Sequence, residues 1–412
     1  MLRTRPLARG AALLALAATF AACSDTKDLV NPPQPVNPMF ASYVALGNSI
    51  TAGFQSGGIN DSTQARAYPV LVAQQMGAQF TIPAFAQPGC PAPIDNFATL
   101  HRVGGGSSTD CAFRSARFGA AVINDVAVPG ATVADLTNPL APGAGNALST
   151  FILGGKSQVA RALDAQPTFV SVWIGNNDVL AAALTGILPR LVVGNDTISV
   201  GVTDTTAFKT SYAKAITALT AGGTVKGGVL IGVVNVSNAP IFFPAPALFD
   251  PQVAGAIQAV TQKAVTIDTS CTPTTASFIN FSILGAIRAG TAPDTIACHA
   301  LANHTNLLGE LYVLDQTELQ ALGQIVASYN AYIHAKADSL GWAYVDPNEA
   351  LDALRTAGQI PAFPNLADPT KPFGDYVSLD GIHPANAAHR LLANLVIDAV
   401  NAKFSTSIPE LP

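Results

Sequence analysis

The chain has 412 residues, 49% of them hydrophobic and only 11% charged, with a formal net charge of −5. That apolar fraction is too high for a disordered chain and suffices to bury the core of one large domain or two modest ones. No cluster of Lys and Arg of the kind that tracks a phosphate backbone occurs, so no nucleic-acid partner is expected.

At the N-terminus, Arg3, Arg5 and Arg9 precede a short apolar run from Ala11 to Phe20, too short to span a bilayer comfortably and arranged like an export signal. Ala21-Ala22-Cys23 resembles the lipobox of bacterial lipoproteins, in which the signal is cut before the cysteine and the cysteine is then lipidated; Phe20 departs from the usual aliphatic residue three places before it. The expectation is a signal peptide over 1–22 and a protein held to the bacterial cell envelope by lipid on Cys23, with Ser24 compatible with outer-membrane sorting. An ordinary signal cut near Ala22, leaving a periplasmic or secreted protein, is the alternative. Residues 23–40 include Asn31-Pro32-Pro33-Gln34-Pro35-Val36-Asn37-Pro38 and read as an extended tether, since proline fixes φ and removes backbone donors. No second linker follows, so 41–412 reads as one domain.

Apolar runs without polar alternation predict buried parallel strands at Tyr43–Leu46, Phe169–Ile174, Val229–Val236 and Ala343–Val345, with weaker ones at Phe80–Ile82 and Val122–Val128. Helical patterns lie between and after them, over Tyr68–Met76, Gln158–Ala165, Ala207–Ala221, Thr317–Ser339 and Asn386–Ala402. Strands alternating with helices argue for an α/β sandwich with a parallel sheet, whose ligands bind at the carboxyl ends of the strands. The stretch from about 237 to 323 is too long for a simple connection and reads as an insertion capping one side of the site. Its Ile241-Phe242-Phe243 and Leu248-Phe249 are expected either to line an acyl pocket or to pack the insertion onto the core. Beyond Cys23, four cysteines remain, an even number that reads as disulfides in an exported chain. Of the three pairings, Cys90–Cys111 and Cys271–Cys298 are favoured because each closes a short loop. No C-x-x-C pair occurs, so no zinc site is expected.

Four motifs carry chemistry: Gly47-Asn48-Ser49-Ile50, the run Asn124–Gly130, Gly175-Asn176-Asn177-Asp178 and Asp380-Gly381-Ile382-His383-Pro384. Ser49 follows a strand and offers a hydroxyl, a poor nucleophile until a base takes its proton. Read alone, it is better taken as a helix N-cap. His383 is the candidate base and Asp380 the carboxylate that fixes its tautomer. Candidate donors to a tetrahedral oxyanion are the backbone N–H of Ser49, the backbone N–H of Gly130 and the side-chain amide of Asn177. Read alone, Gly130 suits a Pro-Gly turn and Asn177 a loop cap.

Together the motifs resemble the SGNH/GDSL hydrolase superfamily over roughly residues 43–390, with Ser49, Gly130, Asn177 and the pair Asp380 and His383 at the positions of its four blocks. The resemblance implies a flavodoxin-like three-layer α/β/α sandwich and hydrolysis of small-molecule, lipid or acetylated-glycan esters without a cofactor. The family usually has Asp before the serine; here it is Asn48, which keeps the acceptor and loses the charge. No G-x-S-x-G elbow surrounds Ser49, which argues against an α/β-hydrolase. The readings that follow are an esterase or lipase, a carbohydrate O-acetylesterase, or a surface lipoprotein that only binds a glycan or lipid. The sequence specifies no oligomeric state.

Overall fold

The structure is a computed structural model that describes residues 34–112, 122–138, 147–185, 191–193, 196–198, 201–298 and 312–412. The signal segment, Cys23 and the first part of the tether lie outside the described residues. The last part of the tether joins the domain: Val36 N donates to Met76 O at 3.0 Å, and buried Phe40 stacks edge-on against Phe169.

A parallel sheet forms the centre. Its strands are β1 (Tyr43–Gly47), β2 (Phe169–Trp173), β3 (Gly227–Ile231) and β4 (Ala343–Val345), hydrogen-bonded in that order. Each has both faces covered, which explains the unbroken apolar runs. Tyr43 and Ala45 point into one buried cluster, while Val44 and Leu46 point into the other. The first cluster is closed by helices α1 (Tyr68–Met76) and α6 (Asn386–Phe404), through side chains such as Val72, Met76, Val396 and Val400. The second is closed by α2 (Gln158–Asp164), α4 (Thr205–Thr220) and α5 (Gln316–Leu340), where Phe208 stacks on Tyr329. The protein is thus an α/β/α sandwich, as the motifs imply. A further helix, α3 (Asn177–Thr185), follows β2 directly.

Two predicted strands turn out otherwise. Phe80–Ile82 forms no strand; Thr81 instead exchanges hydrogen bonds with Asn124. Residues 124–128 do lie along the free edge of β1, with Ala45 N donating to Asn124 O, Val126 N to Ala45 O and Val128 N to Gly47 O. Only one isolated parallel bridge results, between Ala45 and Asp125, because the Asp125 carboxylate turns back to accept Ala127 N–H at 3.1 Å. Counting that edge, the spatial order is second, first, third, fourth, fifth in sequence, the flavodoxin-like winding whose crevice opens beside the first strand.

The strand expected over Val229–Val236 stops at Ile231. Beyond it, side-chain amides replace the ladder. Asn330 Oδ1 accepts Val233 N–H, Asn176 Oδ1 accepts Val234 N–H and Asn348 Oδ1 accepts Asn235 N–H, at 2.6, 3.0 and 2.7 Å. Fully paired in this way, the backbone leaves the sheet without stranded donors.

Among the described residues the insertion carries its own antiparallel sheet, with Phe278–Asn280 between Phe242–Pro244 and Val313–Leu314, and two helices, Pro251–Thr261 and Ser282–Ala289. α5 begins at Gln316, inside the span read as insertion, on a capping box between Asp315 and Glu318. Phe242, Phe243 and Leu248 are buried in the core, with Phe243 edge-on to Phe363 at 5.1 Å, while Phe249 is exposed. The packing alternative therefore holds for Phe242, Phe243 and Leu248, and not for Phe249. Both disulfides, Cys90–Cys111 and Cys271–Cys298, are present.

Candidate active site

The site forms where β1 and β2 end side by side, Gly47 opposite Trp173. Glycine is required at the end of β1: a Cβ there would lie 2.4 Å from Thr51 Oγ1 and 2.7 Å from Trp173 O. The Gln158 side chain grips both backbone groups of Gly47, accepting from its N–H and donating to its C=O, each at 2.9 Å. The chain then turns into a single helical turn, Ser49–Ala52, whose N-cap is Asn48 rather than Ser49. Asn48 Oδ1 accepts Ile50 N–H at 3.1 Å. Asn and Asp serve equally as N-caps, which accounts for the substitution of the family aspartate. Ser49 therefore occupies the first helical position, where a backbone N–H has no intrahelical acceptor.

Ser49 meets the histidine motif across the molecule. His383 Nε2 is 2.9 Å from Ser49 Oγ, and His383 Nδ1 is 2.8 Å from Asp380 Oδ2. The loop that holds both residues is closed on itself: Ser378 N donates to His383 O, and Gly381 N donates to Ser378 O, each at 2.9 Å. The Phe54 ring lies against the imidazole, 5.0 Å between centroids. Asp380 accepts five hydrogen bonds. Oδ1 takes Ser378 Oγ–H and the N–H groups of Ile382 and His383, while Oδ2 takes His383 Nδ1–H and Gly57 N–H. Burial by itself would raise this carboxyl, but the adjacent His383 imidazole and the converging N–H donors outweigh it and hold Asp380 well below the usual carboxylate range. A carboxylate held ionised in this way accepts from Nδ1–H and leaves Nε2 free to take a proton from Ser49.

Asn177 is the first residue of α3, and its amide Nδ2 donates to Ala131 O at 2.8 Å. Val133 N–H donates to the carboxylate of Asp178, next along the same helix, at 2.9 Å. These two bonds tie the loop after Gly130 to the end of β2. Burial pushes the Asp178 carboxyl up to about 7, against the hydrogen bonds it accepts. Gly130 has φ +84°, a left-handed conformation that suits glycine. The Pro-Gly turn and the candidate donor role thus fall on the same residue.

A small cleft of about 60 Å³ joins Ser49, His383, Asn176 and Asn177 to a wall of short aliphatic side chains, Ile50, Leu180, Val234, Val236, Ala239 and Ile382. Gly130 does not line this cleft; it precedes Ala131, whose carbonyl accepts the Asn177 amide N–H. Val234 and Val236 reach the cleft because the asparagine clamps end the third strand early. Ile50 and Ile382 fall inside the serine and histidine motifs, whereas Leu180, Val234, Val236 and Ala239 are marked by none. For Val234 and Val236 the signal is their position after a strand end. Among the described residues no group of His, Cys, Asp and Glu is arranged to hold a metal.

A second histidine on α6 has another use. His389 is fully buried, and its Nδ1 accepts the N–H of Tyr68, the first residue of α1, at 3.2 Å. Burial, with the charge on His383 adding to it, lowers its pKa to about 3. The unfolded chain takes up this proton near pH 6.5 and the folded protein only near 3, so stability is full above pH 6.5 and is lost as pH falls. His389→Gln keeps an acceptor for Tyr68 and removes the titration. In urea unfolding, wild type is expected to lose about 2 to 3 kcal/mol more than the variant between pH 7 and pH 4.5. Equal losses would refute the assignment.

The GDSL-like lipase/acylhydrolase model matches residues 43–396, and the chain belongs to that family of ester-hydrolysing enzymes. No curated protein sequence matches the chain. Among solved structures, LAE5, an alpha/beta hydrolase enzyme from the metagenome of Lake Arreo, Spain, is similar at 14% identity and TM-score 0.37, over 89% of this chain and 99% of that one. A catalytic mutant of Axe2, an acetylxylan esterase from Geobacillus stearothermophilus, is similar at 12% identity and TM-score 0.37, over 87% and 94%. An active-site mutant of a family two carbohydrate esterase from Clostridium thermocellum is similar at 12% identity and TM-score 0.35, over 90% and 66%.

Proposed function

We propose that the enzyme is a lipid-anchored serine esterase of short-chain acyl esters, with Ser49 as nucleophile, His383 as general base and acid, and Asp380 as the group that orients the imidazole. The observation that carries this is the unbroken chain from Ser49 Oγ through both ring nitrogens of His383 to Asp380, at 2.9 and 2.8 Å. Ser49 Oγ attacks the ester carbonyl carbon as His383 Nε2 takes its proton. The oxyanion receives the N–H of Ser49, the N–H of Gly130 and the second amide hydrogen of Asn177. Collapse breaks the C–O bond, and His383 returns the proton to the leaving alkoxide. Water then repeats the sequence on the acyl-serine, releasing the acid and restoring Ser49.

The dimensions of the cleft favour a small acyl group. Ligand pockets commonly enclose about 300–1,000 Å³, and this one is about 60 Å³ with branched aliphatic walls. Of the aromatic residues that offered an acyl pocket, Phe242 and Phe243 are buried in the core and Phe249 is exposed, and none of them lines the cleft. This supports the carbohydrate O-acetylesterase reading over a lipase for long chains. In a series of nitrophenyl esters, kcat/KM is expected to be highest for acetate or propionate and to fall with each longer chain. A rise towards octanoate or decanoate would overturn the short-acyl assignment.

The anchor is proposed from Ala21-Ala22-Cys23 alone, and the two disulfides suit an oxidising compartment outside the cytoplasm. Cys23→Ser, expressed in a bacterium, is expected to leave the membrane fraction; a variant that remains there would refute lipidation at this residue.

A further inference from the structure

Resting on the triad reading above, we infer that the turn Gln55–Gly58 is the device that positions the Asp380 carboxylate, and that Ser378 and Arg102 are its positioning residues. Gln55 and Gly58 exchange both backbone hydrogen bonds, Gln55 N to Gly58 O at 2.9 Å and Gly58 N to Gln55 O at 3.0 Å. The two residues between them have φ of +53° and +65°, the positive pair that a type I′ turn requires. A two-residue turn of this kind is rigid, and its outward N–H groups are aimed. Gly57 N–H points at Asp380 Oδ2, 2.7 Å away, the same oxygen that receives His383 Nδ1–H. Ser56 N–H donates to Ser378 Oγ at 2.9 Å, and Ser378 Oγ–H donates to Asp380 Oδ1 at 3.0 Å. Ser56 Oγ in turn accepts Leu379 N–H at 3.2 Å. The turn therefore fixes both carboxylate oxygens, one directly and one through Ser378.

The turn's outward carbonyls are held from the other side by the loop that the Cys90–Cys111 disulfide closes. Ile94 N–H donates to Ser56 O at 2.8 Å, and Arg102 Nη1 donates to Gly57 O at 2.9 Å and to Ala92 O at 2.5 Å. Arg102 sits on the short strand His101–Arg102, paired with Ile94–Asn96. One guanidinium group thus braces the peptide whose neighbour supports Asp380, and it touches neither His383 nor Ser49. A carboxylate free to rotate would let the imidazole leave the line to Ser49 Oγ, so loosening this brace slows the chemical step and leaves ester binding alone.

The test is steady-state kinetics on nitrophenyl acetate for wild type, Ser378→Ala and Arg102→Met, each checked by thermal unfolding. Ser378→Ala is expected to lower kcat about tenfold, since a hydrogen bond to a charged group is lost, with KM within about twofold of wild type. Arg102→Met keeps the stem and is expected to lower kcat about fivefold, again without a rise in KM. A folded Arg102→Met with wild-type kcat, or either folded variant losing activity through KM alone, would overturn the proposal; should Ser378→Ala fail to fold, Arg102→Met decides by itself. Wild type unable to turn over any ester would bring down the triad reading and this inference together. An active wild type with unaffected variants would bring down this inference alone.

Discussion

Ser49→Ala is expected to lower kcat/KM for a short-chain nitrophenyl ester by a factor of about 10⁴ to 10⁶ while leaving the protein folded. The hydroxyl oxygen is the only atom removed. It bonds His383 Nε2, and the cap of its helical turn is supplied by Asn48, so the loop keeps its geometry. What remains is the oxyanion donors and the cleft, which do not form a covalent acyl-enzyme. Unfolding temperatures of variant and wild type are expected to agree within a few degrees. A variant with more than about 1% of wild-type activity, well above what a lost nucleophile leaves, would show that another group attacks the ester.

Asp380→Asn is expected to cost about 10³ to 10⁴ in kcat and also to destabilise the fold. The reason lies in the five donors that converge on the carboxylate. Oδ1 accepts two backbone N–H groups and Oδ2 accepts one, besides the hydroxyl and the imidazole. Whichever way an amide is turned, its NH₂ faces at least one buried N–H, so a donor meets a donor. If the amide nitrogen replaces Oδ2, it forces His383 to carry its proton on Nε2, the wrong tautomer for receiving one from Ser49. The measurement is kcat at saturating ester beside thermal unfolding. A folded Asp380→Asn enzyme within about tenfold of wild type, far short of the loss a wrong tautomer brings, would mean that Ser49 and His383 act without the carboxylate.

The parts of this site that were legible in the sequence are those where local chemistry dictates local shape. An apolar run ending in Gly47-Asn48-Ser49 specifies a buried strand that breaks into a capped turn, and both features are present. Phe169–Trp173 followed by Gly175-Asn176-Asn177-Asp178 does the same one strand over. The serine's alternative role as N-cap passes to Asn48, one position earlier. What escaped reading depends on side chains brought from far along the chain. Val233–Val236 has strand composition, yet its donors are taken by Asn330, Asn176 and Asn348, and no local pattern announces that competition. Asp125 has a similar effect at close range, turning back on Ala127 and interrupting the edge of the sheet. The aromatic run Ile241-Phe242-Phe243 is compatible with a pocket or with a core, and only the presence of Phe281 and Phe363 around it decides for the core. The turn at Ser56-Gly57 belongs to none of the four motifs, and its approach to Asp380 spans 323 positions and is set by the tertiary fold alone.

The insertion shows how a loop of this length contributes to a site without carrying its chemistry. Ile241 N–H donates to Gly381 O at 2.8 Å, fastening the start of the insertion to the loop that bears Asp380 and His383. Val236 and Ala239, just before it, form part of the cleft wall. On the proposed reading, the same segment steadies the base and limits the acyl group, which links chain-length preference to the geometry of the histidine loop.

The most direct measurement is covalent labelling of the folded protein with a fluorophosphonate, followed by mass spectrometry of its peptides. One phosphonate per chain is expected, on Ser49, lost in Ser49→Ala and strongly slowed in His383→Ala. A folded, ester-cleaving enzyme that stays unlabelled, or that carries the phosphonate on another residue, would contradict the assignment of Ser49 as nucleophile.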